Sequence, residues 1–577
     1  MLTIALTLIP LAVACDGGDE PIVRGELGAE IDEYMSRVEA FGFSGVLLVA
    51  DARGIVFAKG YGLADREKGI PVGTDTVFTV GSITKQFTGA AILKLEMEGK
   101  LSVDDPIAKY LDAVPPDKQA ITLHHLLTHT AGLRSDFAET DFTPVGRDEY
   151  VRRALASELI APPGEEHHYA NSGYSLLGAI IEQVTGGSYE EYLRAALFVP
   201  AGMVDTGYVL PEWEPERLAV GYREGQRWGT IVERPFDADG PYWALRANGG
   251  IHSTIGDMYR WHLALLGDEL LSAEAKEKLY APHVAEGPQA QSHYGYGWSI
   301  QTTPRGTRLI THNGGNGIFA ADFLRYLEDE VTIFIASNNA DMSSIRVGMQ
   351  VRRMPFGERV SMPPKPIVMS AEELDAYAGS YVLPSGATVA VTRDGKRLRA
   401  ACDGAESFAL LLADDPASAR RLKPIEARSE EVVRSAAEGN YRPLVEAFGG
   451  EMGLDDVAEQ EDPLWASLRA KLGEYRGLEV LGANGRPWLA RVHVRLDFER
   501  GARFLRHGWQ DGHLLGIRLG EEPPAKSFVP SSKTSFVDFD PARSAVSYLE
   551  FGLDEGANPA ELRFRSPGGL VVAKRRP

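Results

Sequence analysis

Hydrophobic and polar positions alternate with two different periods along this chain, and the switches between them outline its architecture. From Phe43 the pattern is β-like: Gly45-Val46-Leu47-Leu48-Val49-Ala50, a polar turn at Asp51-Ala52-Arg53-Gly54, then Ile55-Val56-Phe57-Ala58. Two short apolar runs across a polar turn predict a hairpin. From Ser82 to Glu98 the period is helical, with Phe87, Ala91, Leu93 and Leu95 on the apolar faces and Gly99 where a left-handed cap belongs. Further helices are predicted at 147–158, 173–185 and 256–266, and strands at Tyr296–Gln301, Arg308–Thr311, Ala320–Tyr326 and Val331–Ala336. Strands at both ends with helices between them predict one antiparallel sheet built from both ends of a domain, plus a helical lobe. This is an α+β arrangement.

Residues 354–370 carry Pro355, Pro363, Pro364 and Pro366 and read as a linker. Beyond it the pattern turns strand-rich. Thr388–Thr392 and Arg397–Arg399 flank an Asp394-Gly395 turn, which is a strong hairpin signal. Residues 429–480 look helical. After them Val492, Val494, Leu496 and Phe498 alternate with polar partners, Asp511-Gly512 turns a second hairpin, and 528–574 returns to short strands.

At 577 residues the chain is long enough for several domains. Its net charge of −21 argues against nucleic acid or an anionic membrane surface as a general partner. Only two cysteines occur, Cys15 and Cys402, so neither a disulfide framework nor a cysteine-based zinc site can be built. Cys15 ends the apolar run Leu2–Ala14 and is followed at once by Asp16-Gly17-Gly18-Asp19-Glu20-Pro21. That run is shorter than the ~20 residues of a membrane-spanning helix and has the length of a signal-peptide core. Residues 1–15 are therefore expected to be a signal peptide and 16–30 a tether.

One tetrapeptide carries candidate chemistry. Ser82-Ile83-Thr84-Lys85 holds the only serine in the chain with a lysine three positions later. On a helix that spacing puts both side chains on one face. A serine hydroxyl is a poor nucleophile until a base removes its proton, and a desolvated lysine can be that base. Taken alone, the tetrapeptide fits a helix-capping serine beside a surface lysine better. It does not stand alone.

The segment from Thr76-Val77-Phe78-Thr79-Val80-Gly81-Ser82 to Asp105-Pro106 closely resembles the nucleophile region of the class C β-lactamase and penicillin-binding-protein family. Leu126–Leu133, Tyr169-Ala170-Asn171, Ala247-Asn248-Gly249-Gly250, Tyr294–Trp298 and His312-Asn313-Gly314-Gly315 follow in the family's order. Leu11-Ala12-Val13-Ala14-Cys15 similarly resembles a bacterial lipobox, which implies lipidation of Cys15, although no Lys or Arg precedes the apolar run.

The resemblance implies a β-lactamase/transpeptidase-like fold over 31–353 and acyl-enzyme chemistry without metal or other cofactor. Under it, Ser82 is the nucleophile, Lys85 and Tyr169 share its activation, and Tyr169 protonates the leaving group. The backbone N–H groups of Ser82 and Gly315 form the oxyanion hole. Asn171, His312, Asn313 and Gly314 contact the substrate. One element departs from the lactamase pattern, which has lysine-threonine-glycine where this chain has His312-Asn313-Gly314. A neutral imidazole holds a substrate carboxylate less firmly than an ammonium.

The pairs His124-His125 and His167-His168 lack metal-ligand spacing and read as surface or core residues. Residues 371–428 and 521–577 resemble the lipocalin-like β domain often fused behind this family. Residues 429–520 read as an α+β insertion similar in element order to the cone-shaped nuclear-transport-factor-2-like fold. The expectation is an exported, periplasmic or cell-envelope serine hydrolase acting on an ester or amide, D-amino-acid peptides included. Its partner is then a small-molecule or peptide substrate, with membrane contact only through the lipidated Cys15. The alternatives are a D,D-carboxypeptidase or weak β-lactamase and, from another class, a binding protein on a hydrolase fold.

Overall fold

The computed structural model describes residues 20–576 apart from 139, 288–289, 414–415, 450–452 and 567–568. Cys15 and the apolar run before it lie outside the described residues. No helix among the described residues is long and apolar enough to cross a membrane. The chain forms two compact units that divide between Pro363 and Pro364, with Pro541–Ser544 grouped with the first.

The first unit is built on a nine-stranded sheet. Its strands are β1 (Ile22–Val23), β2 (Gly45–Asp51), β3 (Gly54–Tyr61), β4 (Val284–Ala285), β5 (Ser292–Tyr294), β6 (Ser299–Thr302), β7 (Arg308–Gly315), β8 (Ala320–Tyr326) and β9 (Val331–Ser337). Their order across the sheet is β1-β3-β2-β9-β8-β7-β6-β5-β4, and every pairing is antiparallel. The two ends of the unit meet where β2 pairs with β9, Val46 opposite Ala336 and Leu48 opposite Phe334. These strands are central and covered on both faces, which is why they read as unbroken apolar runs rather than alternating ones.

Helix α1 (Gly25–Ala40) buries Ile31, Tyr34, Met35 and Val38, a spacing that makes one apolar stripe. Residues 16–30 are therefore not all the tether that the sequence predicts: the chain enters the fold at Ile22, where β1 pairs with β3. Two apolar residues among polar ones carry no periodic signal, and only the partner strand defines them. Helices α2 (Thr84–Met97), α3 (Asn171–Thr185) and α4 (Ile255–Leu266) form the lobe beside the sheet. Their buried residues join one core that includes Phe87, Ile180 and Trp261. Phe87 meets Phe198 and Trp261 edge-on at 5.1 and 5.0 Å.

The second unit holds a closed eight-stranded barrel. Its first three strands are β10 (Gly379–Val382), β11 (Thr388–Asp394) and β12 (Arg397–Cys402), and the Asp394-Gly395 turn joins the last two. The chain then leaves for helices α5 (Ala405–Leu411), α6 (Pro416–Ala437), α7 (Arg442–Ala447) and α8 (Leu454–Leu472). A four-stranded meander follows: β13 (Tyr475–Arg486), β14 (Leu489–Phe498), β15 (Gly501–Gln510) and β16 (His513–Gly520). The barrel resumes with β17 (Ala525–Pro530), β18 (Ser535–Asp540), β19 (Ala545–Leu553), β20 (Pro559–Ser566) and β21 (Gly569–Arg575). It closes where Tyr381 pairs with Arg575. The expected boundary at residue 429 falls inside α6, because Pro424 sits within that helix and interrupts its periodic pattern.

Candidate active site

Ser82 sits in the tight 3₁₀ turn Gly81–Ile83 that leads into α2, and Lys85 lies on the first turn of that helix. The edge of β7 approaches this turn so closely that side chains cannot be accommodated. A Cβ on Gly314 would stand 2.0 Å from the Val80 carbonyl oxygen and 2.6 Å from the Ser82 nitrogen. On the other side, the segment before β6 crosses the Lys85 backbone at Gly297, whose φ of +81° and 2.4 Å clearance from the Lys85 oxygen both demand glycine.

The Lys85 ammonium is completely buried. Its Nζ donates to Ser82 Oγ at 3.2 Å, Asn171 Oδ1 at 2.8 Å and the Asn248 carbonyl oxygen at 2.7 Å. Asn171 is delivered by the start of α3. Burial lowers the Lys85 pKa to about 7, opposed by the negative fields of Asp141 and Asp136. Two of the three partners can only accept. When Lys85 is neutral, its two remaining N–H bonds stay with Asn171 and Asn248, and its lone pair points at the Ser82 hydroxyl.

Tyr169 stands two residues before α3, with Ser82 close enough to act on its hydroxyl. The Lys85 Nζ lies 4.8 Å from its ring centroid. The residue is 40% exposed, yet burial drives the phenol above its usual range, and nearby Ser82 only partly offsets this. Tyr169 is thus a protonated donor at neutral pH.

The position of Tyr169 is set by His129, a residue with φ +59°. His129 accepts from the Ala170 backbone N–H at Nδ1 (3.1 Å), accepts the His168 N–H at its carbonyl (2.8 Å), and packs its ring 4.3 Å from that of Tyr169. Burial first, then Lys85, hold His129 well below the usual imidazole pKa, so it is neutral.

His312 is also neutral, lowered to about 3 by burial and by the nearby Lys85. Its Nδ1 lies 2.6 Å from the Asn313 carbonyl, which can only accept, so Nδ1 carries the proton. Its Nε2 then accepts the Tyr294 hydroxyl at 2.9 Å. Both ring nitrogens are therefore committed, and His312 offers no cation to a ligand.

Ser82, Asn171, Asn248 and Gly315 line one cleft of about 390 Å³, part of it open to solvent. Phe142, Ile231 and Leu245 supply its apolar wall. Asp141 adds a half-buried carboxylate with no hydrogen-bond or ion-pair partner among the described residues; burial pushes its pKa up and Lys85 pulls it down. Asn313 is exposed on β7, and Gly314 is buried against the serine turn. The His124-His125 and His167-His168 pairs lie outside this cleft. His124 bonds Tyr296 at 2.8 Å, and no metal-binding group of His, Cys, Asp and Glu occurs among the described residues.

Sequence reasoning assigned no role to His129, Asn248, Tyr294 or Asp141. The first three lie inside motifs that were legible as motifs. Asp141 sits in an irregular loop with no pattern, so only the fold could place it.

Residues 31–350 match the Beta-lactamase family, and the chain belongs to it. This is a family of serine hydrolases on the β-lactamase/transpeptidase-like fold. Penicillin-binding protein 4* of Bacillus subtilis is 28% identical over 378 residues, covering 62% of this chain and 83% of that protein. Esterase EstB of Burkholderia gladioli is 32% identical over 241 residues, 38% of this chain and 59% of the esterase. The octameric penicillin-binding protein homologue of Pyrococcus abyssi shares the fold over 95% of this chain and 100% of its own, with a TM-score of 0.53 at 21% identity.

Proposed function

We propose that the chain hydrolyses a neutral or amine-bearing ester or amide through a covalent Ser82 intermediate. The observation that carries this reading is the Lys85 triad of partners, which leaves the lone pair of a neutral lysine only Ser82 to face.

The chemistry follows from that geometry. Ser82 Oγ attacks the substrate carbonyl as its proton passes to Lys85 Nζ. The negative charge that develops on the carbonyl oxygen is met by the backbone N–H groups of Ser82 and Gly315, each such donor typically worth ~10²–10³ in rate. Tyr169, protonated and beside Ser82, gives its proton to the departing alkoxide or amine and is reprotonated from Lys85. Water then attacks the Ser82 ester, losing its proton to the same pair, and releases the acid.

Two features support the substrate class. A carboxylate-bearing substrate finds no lysine or arginine among the described residues that line the cleft, Lys85 behind it is engaged by three partners, and His312 is neutral. Asp141 presents an unpaired carboxylate to the cleft, which suits a substrate ammonium beside the apolar wall. D-amino-acid amides and short aryl esters meet these requirements better than penicillins do.

Side-by-side labelling with a fluorophosphonate and a fluorescent penicillin tests the reading. Wild type labels strongly with the first and weakly with the second, and Ser82→Ala with neither. Failure of the wild type to label with either favours a binding protein, and preference for the penicillin favours the D,D-carboxypeptidase alternative.

Export is part of the same reading. The run Leu2–Ala14 closed by Cys15 supports a lipid-anchored cell-envelope enzyme. Mass spectrometry of the native protein is expected to find a chain that starts at a lipidated Cys15.

A further inference from the structure

The helices and meander that interrupt the barrel line a second cavity, with about 30 Å³ of closed space and about 380 Å³ when the part open to solvent is counted. Its walls are apolar: Val432 on α6, Leu444 on α7, Leu468 on α8 and Leu496 on β14. Two titratable groups line it, His507 on β15 and Glu461 on α8.

His507 is the unusual residue. It alternates with the buried Leu505 and Trp509 on the inner face of β15 and is itself 0% exposed. Polar neighbours in the same core have partners: Trp509 Nε1 donates to Ser429 Oγ at 2.7 Å, and the Tyr441 hydroxyl donates to Asp462 at 2.6 Å. Neither His507 nitrogen has a hydrogen-bond partner among the described residues. Buried polar groups are nearly always paired, so a buried imidazole with both nitrogens idle beside a cavity points to a missing ligand. Burial also lowers its pKa to about 4, so it is neutral, with one N–H donor and one acceptor.

We propose that this cavity binds a small neutral alcohol or phenol, whose hydroxyl bonds His507 and whose hydrocarbon body fills the apolar space. A hydroxyl both donates and accepts, which is what a neutral imidazole requires. A carboxylate would meet Glu461, whose own carboxyl is already pushed up by burial. An ammonium would lose its hydration against apolar walls. The site is separate from the Ser82 cleft and independent of the substrate assigned to it.

The test uses the full chain labelled with ¹⁵N-histidine. 1-Hexanol and 4-ethylphenol are titrated by calorimetry and by imidazole NMR, with hexanoate and hexylammonium as charged counterparts. The alcohol and the phenol should bind saturably, with a dissociation constant on the order of 0.1 mM for ligands of this size, and shift one imidazole resonance. The charged probes should not. His507→Phe should weaken binding at least about tenfold, Leu468→Trp should abolish it by filling the cavity, and both should keep wild-type Ser82 labelling. If His507→Phe does not fold, Leu468→Trp decides alone. No saturation by about 10 mM alcohol, binding undiminished in the folded variants, or preference for a charged probe each overturns the proposal, the first meaning that the cavity holds only water.

Discussion

The ε-amine of Lys85 donates to the backbone oxygen of Asn248 across 2.7 Å, and Asn248 is itself immobilised, its side-chain amide donating to Ser175 Oγ and to the Ala244 carbonyl at 2.9 Å each. A main-chain carbonyl cannot rotate or change protonation. It holds one Lys85 N–H permanently, which is how the direction of the lone pair survives deprotonation.

The pH dependence of acylation follows from this arrangement. The pKa of Lys85 is lowered to about 7, and only its neutral form can accept the Ser82 proton. kcat/KM should therefore rise with pH through an acid limb near 7 and be lost below it. A profile flat from pH 5 to 8 would falsify Lys85 as the base.

Asn171→Asp places a carboxylate where an amide oxygen now accepts from Lys85. An adjacent opposite charge favours the protonated lysine by about 1–3 pKa units. The acid limb should move to higher pH, and kcat/KM at pH 7 should fall at least about tenfold. A limb that stays in place means that this contact does not govern the base.

Asp141→Asn should act in the opposite direction. The Asp141 carboxylate raises the Lys85 pKa, so its removal shifts the acid limb toward lower pH. The same variant should lose at least about tenfold in kcat/KM for free D-amino-acid p-nitroanilides, a single unpaired-charge effect of ~1.4 kcal/mol, and little for their N-acetyl counterparts. Equal losses for both series would remove Asp141 from substrate recognition.

His312→Lys introduces the ammonium that is absent from this position. Turnover of nitrocefin relative to p-nitrophenyl butyrate should increase at least about tenfold, reflecting a charge-assisted bond to the cephalosporin carboxylate. Because a second buried cation disfavours protonation of Lys85, its acid limb should also fall. An unchanged substrate ratio would show that His312 is not what limits β-lactam reactivity.

Gly314→Ala adds a methyl group 2.0 Å from the Val80 oxygen and 2.6 Å from the Ser82 nitrogen. Strand β7 and the serine turn must separate, at a cost of about 1–3 kcal/mol in stability. A displacement near 1 Å at the nucleophile typically lowers rate ~10²-fold, so kcat should fall by that order while the protein still folds. Thermal unfolding and burst kinetics separate the two effects.

Spacing on one helix start pairs Ser82 with Lys85, whereas Tyr169 and Asn171 were named only by the resemblance to the family's motifs, and tertiary structure is what brings Asn171 to Lys85. The antiparallel sheet was legible for a local reason: β2 and β9 are long apolar runs whose burial is written into their composition. Tertiary structure decided everything that depends on a distant partner. The two-residue strand at Ile22 exists only because β3 is beside it, and α6 runs through Pro424 because packing overrides a local break. The protonation states were likewise beyond the sequence. Lys85, His129 and His312 have ordinary pKa values as isolated residues, and burial among one another moves each of them toward the neutral form. Desolvation is a property of the assembled interior, so the sequence names the residues while only the fold sets their charge.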